Sequence, residues 1–197
     1  MPKRRARSGH RLSIVTHNPG KVREFREGLK GVPVEFHHVD RTYHELQADT
    51  LEEVASFGLQ ELAAEVEGDF CLEDSGLFID ALAGFPGVYS AFVYETVGLN
   101  GVLKLLKGAE DRRARFASVV ALSFEGETHL FRGETRGSIA RAPVGGAGFG
   151  YDPIFVPEGD RRTFGAMPLE DKMARSHRGR ALEKLAEFLT RRLRPPK

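Results

Sequence analysis

The chain has 197 residues, of which 41% are hydrophobic and 29% charged, the balance of a globular protein with one or two compact lobes. Its formal net charge of +1 gives no overall attraction to nucleic acid or to a membrane surface, so we expect neither as a partner. No stretch approaches the ~20 apolar residues of a membrane span. The single cysteine, Cys71, excludes an intramolecular disulfide, and we expect a cytoplasmic location.

Basic side chains are concentrated at both ends of the chain. Four of the first seven residues are Lys or Arg. We predict a flexible basic tail over residues 1–10, a single two-lobed domain over residues 11–193 and a C-terminal tail over residues 194–197.

A first strand and a tight loop open the predicted domain. Residues 11–16 predict a first strand, and Asn18-Pro19-Gly20 is a strong turn signal before an amphipathic helix that begins near Lys21. Such a helix N-terminus offers free backbone N–H groups and the positive end of the helix dipole to a phosphate. The spacing differs from that of a Walker P-loop, so this loop by itself is weak evidence for a phosphate-binding site.

A second strand and a second helix follow. Val34–Val39 predicts the strand, and a helix is predicted over about residues 51–66, capped by Thr50 or the residue before it. Glu53 lies in the first turn of this helix, where negative charge is favourable, so we prefer a capping role for it. Glu45, in the polar connection, has no comparable local role.

A carboxylate pair follows an apolar run near residue 70. Phe70, Cys71 and Leu72 predict a short buried strand, with Cys71 as a buried thiol, and Glu73 and Asp74 end it. In open α/β sheets ligands bind beyond the carboxyl ends of strands, so the two acids are placed for a metal ion and its water. The alternative is that they form a solvated turn.

The second half of the chain is richer in hairpins. Residues 84–87 form a glycine and proline hinge, and helical segments follow. Residues 114–124 and 128–134 predict an antiparallel pair, with one further strand over residues 137–142. Residues 145–150 contain too much glycine for regular structure. These features predict a mixed sheet.

Two helices are predicted at the C-terminal end. Residues 168–172 favour a short helix, and Ser176 is a good N-cap for a final amphipathic helix. His177 and Arg178 lie in the first turn of that helix, where positive charge is unfavourable against the dipole. Helix stability therefore does not explain them, whereas an anionic ligand would.

Four segments carry a family resemblance when they are taken in order. They are THNPGK at 16–21, EDSGLFIDALAGFPGVYS at 73–90, GFGYDPIF at 148–155 and EDKMARSHRGRAL at 170–182. Together they resemble the inosine triphosphate pyrophosphatase family, which removes inosine and xanthosine triphosphates from the nucleotide pool. The resemblance spans about residues 12–189.

The resemblance implies an α/β fold with an elongated mixed sheet, flanking helices and two lobes around a central substrate cleft, assembled as a homodimer that uses Mg2+. It implies that Asp74 is the catalytic residue, binding the metal and activating water. Glu45 would be the second metal ligand, with Glu53 as the less favoured choice. The implied substrate contacts are Thr16, Asn18, Lys21, Ser75, Phe149, Gly150, Tyr151, Asp152, Lys172, His177 and Arg178.

The chain departs from the family pattern at two places that concern the phosphates. Many bacterial members have a lysine where this chain has Gly58, and several members have a lysine or arginine where it has Ala91 and Phe92. The phosphate clamp would then hold fewer cations, with Arg175 as a candidate replacement.

The resemblance predicts Mg2+-dependent hydrolysis of ITP, dITP and XTP to the monophosphate and pyrophosphate, with water attacking the α-phosphorus in line. The alternative enzyme is a Maf-like nucleotide pyrophosphatase, which lacks the helix start seen at Ser176–Arg178. A non-enzymatic alternative is a nucleotide-binding regulatory module without turnover. The absence of the family's lysine at Gly58 would agree with such a loss of activity.

Overall fold

The computed structural model describes residues 10–44 and 46–194. Residues 1–9 of the predicted basic tail, Glu45 and residues 195–197 lie outside these ranges, so the expectations for them stay predictions. His10, which was assigned to the tail, is the first residue of a strand. Within the described ranges, none of the helices combines the length and the apolarity that crossing a bilayer requires.

Within the described residues, a mixed sheet of seven strands forms the centre of the molecule. The strands are β1 His10–Val15, β2 Val34–Val39, β3 Phe70–Ile79, β4 Pro86–Gly87, β5 Arg113–Phe124, β6 Glu127–Ile139 and β7 Phe155–Pro157. Their order is β2-β1-β3-β5-β6-β7, with β4 paired to β3 outside this path. β1 is parallel to β2 and β3, and the other pairs are antiparallel. The predicted mixed α/β sheet is confirmed.

The helices flank this sheet. They are α1 Pro19–Gly28, α2 Leu51–Leu62, α3 Ser90–Thr96, α4 Gly98–Leu105, α5 Leu169–Met173 and α6 His177–Arg192. The side chains of Asn18, Thr50 and Ser176 accept backbone N–H groups at the starts of α1, α2 and α6. α2 ends before the predicted residue 66, because the chain tightens into turns after Leu62.

β3 is longer than predicted. It continues through Glu73 and Asp74, and all of its residues pair with β5, from Phe70 opposite Ser123 to Ile79 opposite Ala114. The prediction that the two acids end the strand is wrong, and so is the alternative of a solvated turn, because both side chains are buried. Glu73 is tolerated in a central strand because it forms ion pairs inside the protein.

The predicted hairpin is present, but the separate strand over residues 137–142 is not. The chain reverses at Glu125 and Gly126, which have φ of 52° and 82°. β6 then continues without a break to Ile139, because its last residues pair with both β5 and β7. Residues 140–142 lie outside the sheet.

The long strands connect two lobes. In β5, Phe116 packs in one hydrophobic cluster with residues of α4 and β7. Further along β5, Val120 packs with α1 and α6, whereas Val119 packs with α2. Because neighbouring residues of a strand point to opposite faces, one strand supports the helices on both sides. One cluster thus lies at the start of β5, and the other two lie on the opposite faces of its later part.

Close packing of α6 against β6 depends on Gly133. An added Cβ at Gly133 would lie 2.0 Å from the carbonyl oxygen of His177 and 2.6 Å from the amide nitrogen of Ala181. Both atoms belong to the backbone of α6, so rotation of a side chain cannot relieve the overlap. The first turn of α6 therefore takes its position from a glycine on the neighbouring strand.

We expect Gly133→Ala to lower the free energy of unfolding by about 1–3 kcal/mol, because α6 must move away from the sheet. Urea unfolding followed by circular dichroism measures this change. Gly146→Ala is the matched control, since an added Cβ there meets no atom within 4 Å. Equal stability of the two variants would contradict the packing described.

Candidate active site

One cavity of about 550 Å³ contains most of the predicted site residues. Every predicted substrate contact except Lys172 lines it, and so does Asp74. Two larger grooves, of about 930 and 680 Å³, lie between α1 and α6 and beside β6 and β7, and neither contains a predicted site residue. We therefore take the smaller cavity as the candidate site.

Asn18 shapes the loop at the start of α1. Its side chain accepts the backbone N–H groups of Gly20 and Lys21 at 2.8 and 3.3 Å. The hydroxyl oxygen of Thr16 accepts the N–H of Asn18 at 3.1 Å. These bonds close the turn, and Lys21 lies in the cavity wall.

The Lys21 ammonium is oriented by β3. Its Nζ donates to the backbone carbonyl oxygen of Glu73 at 2.7 Å and lies 2.9 Å from the Glu73 carboxylate. The Lys21 side chain is 18% exposed, whereas the Glu73 side chain is 1% exposed. Lys21 is therefore held by a buried acid while part of its side chain remains accessible from the cavity.

Arg178 extends from the first turn of α6 to two buried acids. Its Nη2 lies 3.1 Å from Glu73 and donates to the Ser75 hydroxyl at 3.0 Å, and its Nη1 donates to Glu24 at 2.6 Å. Burial acts to raise the pKa of Glu73, but Arg178 and Lys21 outweigh it, and the net shift is downward. The view that only an anionic ligand explains Arg178 is thus corrected, because Glu24 and Glu73 already neutralise it.

The side chain of Asp74 lies on the opposite face of β3 from that of Glu73. Neighbouring residues of a strand point to opposite faces, so the side chains of these two adjacent acids leave the strand in opposite directions. Asp74 is 8% exposed and lines the cavity beside Ser75. One acid of the pair therefore neutralises cations inside the protein, and the other faces the cavity.

Residues 148–152 form the opposite wall of the cavity. Asp152 accepts the backbone N–H of Phe149 at 2.7 Å, and the Tyr151 hydroxyl donates to the carbonyl oxygen of Ser90 at 2.9 Å. The Phe149 ring lies against Gly20, where an added Cβ would be 2.4 Å from the ring. The loop over residues 148–152 and the start of α1 are therefore in direct contact.

Lys172 lies behind this wall and does not line the cavity. It is 2% exposed, and its Nζ lies 2.5 Å from Glu24 and 2.6 Å from Asp152. Glu24 was not singled out in the sequence, although its position three residues after Lys21 places both on one face of α1. No sequence signal identified its distant partners.

His177 presents a neutral ring to the cavity. The ring stacks on Phe116, with centroids 4.4 Å apart and planes inclined by 12°. Burial lowers the pKa of His177 well below its usual range, and Arg178 acts in the same direction. Its Nδ1 is buried and has no hydrogen-bond partner among the described residues.

Two candidates lie away from the cavity. The Glu53 carboxylate accepts the backbone N–H and the hydroxyl of Thr50 at 3.0 and 2.9 Å, and Thr50 accepts the N–H of Glu53 in return. This capping box confirms the preferred capping role. Arg175 lies 3.8 Å from Asp160 and does not line the cavity, so it does not replace the missing lysine there.

The chemistry of Asp74 suits Mg2+. This ion prefers oxygen ligands and is usually held by one or two carboxylates together with substrate phosphates and waters. Asp74 supplies a buried carboxylate at the cavity wall. Over residues 10–44 and 46–194, no three His, Cys, Asp or Glu side chains are grouped as a metal cage. The donor set fits an ion that binds together with a phosphate ligand.

Fold and cavity define a two-lobed α/β protein whose cleft combines a cation-bearing loop with aromatic walls. A sequence profile of the Ham1 family matches residues 12–188. The chain is 53% identical over 184 residues to a dITP/XTP pyrophosphatase of Thermococcus kodakarensis, covering 93% of this chain and 100% of that one. It is 49% identical over 179 residues to a dITP/XTP pyrophosphatase of Pyrococcus horikoshii, covering 91% and 96%.

Solved structures agree with this assignment. A HAM1 protein from Coxiella burnetii superposes with a TM-score of 0.79 at 33% identity, covering 92% of this chain and 99% of that one. The Staphylococcus aureus Ham1 protein gives 0.77 at 31% identity, covering 91% and 99%. The chain belongs to the Ham1 family, which confirms the resemblance found in its four segments.

The buried neutral His177 makes stability fall toward acid pH. In the unfolded chain a histidine takes up a proton near pH 6.5, whereas the folded protein resists that proton because the pKa of His177 is lowered. The unfolded state then binds more protons, so the free energy of unfolding decreases below about pH 6.5, by at most ~1.4 kcal/mol per pH unit for this group. Urea unfolding at pH 7, 6 and 5 measures the slope.

The control for this prediction is a ring without a titrating group. His177→Phe retains an aromatic ring beside Phe116 and should reduce the slope between pH 7 and 5. His37→Gln, at an exposed position of β2, should leave it unchanged. The carboxylates with lowered pKa values, Glu24 and Glu73, lose their contribution only at lower pH. An undiminished slope in His177→Phe would refute the assignment.

Proposed function

We propose that this protein hydrolyses purine nucleoside triphosphates with non-standard bases, ITP, dITP and XTP, to the monophosphate and pyrophosphate with Mg2+. The observation that carries the proposal is that one cavity joins the Lys21 loop, the Asp74 carboxylate, residues 148–152 and His177. Two relatives at 53% and 49% identity are named dITP/XTP pyrophosphatases, which supports the same activity here.

The phosphate chain would lie along the first loop. A nucleoside triphosphate carries about four negative charges, and cleavage adds charge to the leaving pyrophosphate. Lys21 and the N-terminus of α1 supply positive potential at this wall, and Thr16 and Asn18 hold the loop in shape. Because Glu73 already orients Lys21, little reorganisation is needed as charge develops.

Asp74 would direct a water molecule to the α-phosphorus. The water oxygen forms a bond to phosphorus while the bond to the bridging oxygen of pyrophosphate breaks, and the water proton is released. The monophosphate and pyrophosphate are the products. Asp74 suits this role because its carboxylate lies at the cavity wall, while its neighbour Glu73 is held in ion pairs.

Asp74 would also hold Mg2+, with Glu45 as the expected second ligand. Bound Mg2+ would neutralise phosphate charge and polarise the phosphoryl oxygens. Glu45 lies outside the described residues, so its role rests on the family resemblance. The Glu53 carboxylate caps α2, which favours Glu45 over it.

The base would lie between residues 148–152 and the start of α6. Phe149 offers a ring for stacking, which gives affinity without distinguishing ring substituents. Hypoxanthine and xanthine share a 6-oxo group and a protonated N1, which adenine lacks, and His177 with the N-terminal backbone of α6 would distinguish them from adenine. Rejection of guanine must depend on its 2-amino group. Lys172 and Arg178, which the resemblance gives as substrate contacts, also belong to this proposal; Arg178 lines the cavity, whereas Lys172 lies behind its wall.

Two alternatives remain for the experiment to separate. The family match over residues 12–188 favours this activity over a Maf-like pyrophosphatase. A binding module without turnover would occupy the same cavity but would release no pyrophosphate. An assay of pyrophosphate release with Mg2+ therefore separates enzyme from binder.

Assembly, location and domain limits are part of the proposal. The family resemblance supports a homodimer, which light scattering of the purified protein would test. A cytoplasmic location is supported by the single cysteine, Cys71, which is buried, and by a substrate drawn from the nucleotide pool. The described fold supports one two-lobed catalytic domain over residues 11–193, with strand β1 beginning at His10.

We expect Asp74→Asn to reduce kcat by about 10²-fold or more while the fold is retained, because the change keeps the volume and removes the charge. Single-turnover and steady-state assays with ITP and Mg2+ measure the loss. Glu45→Gln should cost more activity than Glu53→Gln, whose main effect should be a small loss of α2 stability. Near-normal activity of Asp74→Asn would exclude it as the catalytic carboxylate.

The wild-type protein should hydrolyse ITP, dITP and XTP far better than ATP or GTP, with little dependence on the 2′-hydroxyl. A site that pairs a polar group of its substrate can reject a mismatched analogue by on the order of 10⁴-fold, because buried polar atoms are left unpaired. The measurement is kcat/KM for the five nucleotides at one Mg2+ concentration. Comparable values for ATP and ITP would refute the proposed selectivity even if pyrophosphate were released.

A further inference from the structure

Glu24 is a buried acid that binds two cations from the C-terminal part of the chain. Its Oε1 lies 2.5 Å from Nζ of Lys172, and its Oε2 lies 2.6 Å from Nη1 of Arg178. All three side chains are at most 3% exposed. Burial acts to raise the pKa of Glu24, but Arg178 and Lys172 outweigh it, so the carboxylate is ionised. The chemical steps proposed above do not use it.

Glu24 connects the two walls of the cavity. It lies on α1, the helix that carries Lys21 at its N-terminus. On the other side, Lys172 continues from Glu24 to Asp152 at 2.6 Å, and Asp152 accepts the backbone N–H of Phe149 at 2.7 Å. Two ionic contacts and one hydrogen bond therefore join the phosphate-facing helix to the base-facing loop.

Arg178 provides a second connection through the same acid. Its Nη1 binds Glu24, and its Nη2 binds Glu73 and the Ser75 hydroxyl. Glu73 in turn holds Lys21. Removal of the Glu24 charge would thus affect the position of Arg178 and of the loop around Phe149, while the contact between Glu73 and Lys21 would remain.

We propose that Glu24 is a positioning residue that sets the base-facing loop and Arg178 relative to the phosphate-facing helix, and thereby determines which bases are accepted. The inference rests on the proposed function and adds a determinant of its selectivity. Glu24 acts without touching the substrate, because it lies behind the residues that line the cavity. Its effect should fall on base ranking more than on phosphate handling.

Substitution of Glu24 should leave a folded protein. Each cation keeps a second acid, since Lys172 retains Asp152 and Arg178 retains Glu73. Neither buried charge is then left without a carboxylate, which is the usual cause of severe destabilisation. Glu24→Gln preserves the side-chain size and removes the charge, and circular dichroism and thermal unfolding check the fold.

The experiment compares kcat/KM for ITP, XTP, GTP and ATP in the wild type, Glu24→Gln, Glu24→Asp and Glu27→Gln. In Glu24→Gln, the ratio of ITP to ATP should fall by about 10-fold or more, since a displacement of about 1 Å in a positioned group can cost up to about 10²-fold. Glu24→Asp should lie between this variant and the wild type. Glu27→Gln is the matched control on the same helix, where the side chain is 40% exposed and 3.9 Å from Lys30.

Lys21→Ala provides the contrasting result. Its loss should lower kcat/KM for all four nucleotides by a similar factor, because phosphates are common to them. A merely structural role of Glu24 would produce the same uniform pattern. If Glu24→Gln lowers kcat/KM for all four nucleotides by the same factor, or keeps their ratios within twofold of the wild type, the positioning role is overturned.

The remaining outcomes are also decisive. If Glu24→Gln does not fold, the ranking in Glu24→Asp decides, because the shorter acid cannot hold both cations in their present places: a shifted ranking supports the role and an unchanged one overturns it. Failure of the proposed function would appear in the wild type, as equal use of ATP and ITP or no pyrophosphate release. In that case the ranking of nucleotide affinities, measured by calorimetry in the same variants, tests Glu24 by the same criterion.

Discussion

The contact of Arg178 with Glu24 and Glu73 is the interaction on which both the fold and the site depend. It joins α6 to α1 and to β3, three elements from the two ends and the middle of the chain. Burial of charged groups costs several kcal/mol per ion unless geometry and hydrogen bonding offset it, and a buried arginine left without any carboxylate typically costs about 3–5 kcal/mol. Ser75 completes the set by accepting from the Arg178 guanidinium. The two acids and the arginine are therefore a single unit, and the cavity is built on it.

This unit belongs to a larger balance of charge behind the cavity. The three cations Lys21, Lys172 and Arg178 meet the three carboxylates Glu24, Glu73 and Asp152 in the buried ion pairs. The cations that the sequence offers to a polyanionic ligand are thus largely neutralised by the protein itself. The orientation of these three cationic side chains is consequently as important as their charge. Groups that are already oriented can stabilise new charge on a ligand without first having to move.

The features that the sequence predicted well are those decided within a few residues. Thr50 and Ser176 cap their helices through N–H groups three residues away, and the hairpin of β5 and β6 turns at Glu125 and Gly126. The predicted substrate contacts other than Lys172 line one cavity, and they came from motifs matched to a family, whereas lining residues such as Tyr94 and Phe116 were not predicted.

The features that the sequence did not predict depend on distant partners. β3 continues through Glu73 because that acid is neutralised by Lys21, 52 residues away, and by Arg178, 105 residues away. Glu24 looked like one charged residue among several on α1, and its partners are 148 and 154 residues away. A prediction from neighbouring residues alone places such acids at the surface, since burial of a lone carboxylate is unfavourable. Only the fold shows that they are paired.

The two departures from the family pattern have different physical meanings. At Gly58, an added Cβ would lie 2.6 Å from the ring of Tyr43, so the space in which a lysine side chain would begin is already filled. Ala91 lines the cavity on α3, with Tyr94 and Glu95 on the same side of the helix, so a longer side chain there would enter the cavity. A lysine at position 58 would be excluded by packing against Tyr43. At position 91 there is space for a basic side chain, but this chain has alanine. With no cation at either position and Arg178 held by two buried acids, Lys21, whose side chain is 18% exposed, is the more accessible of these two cavity-lining cations.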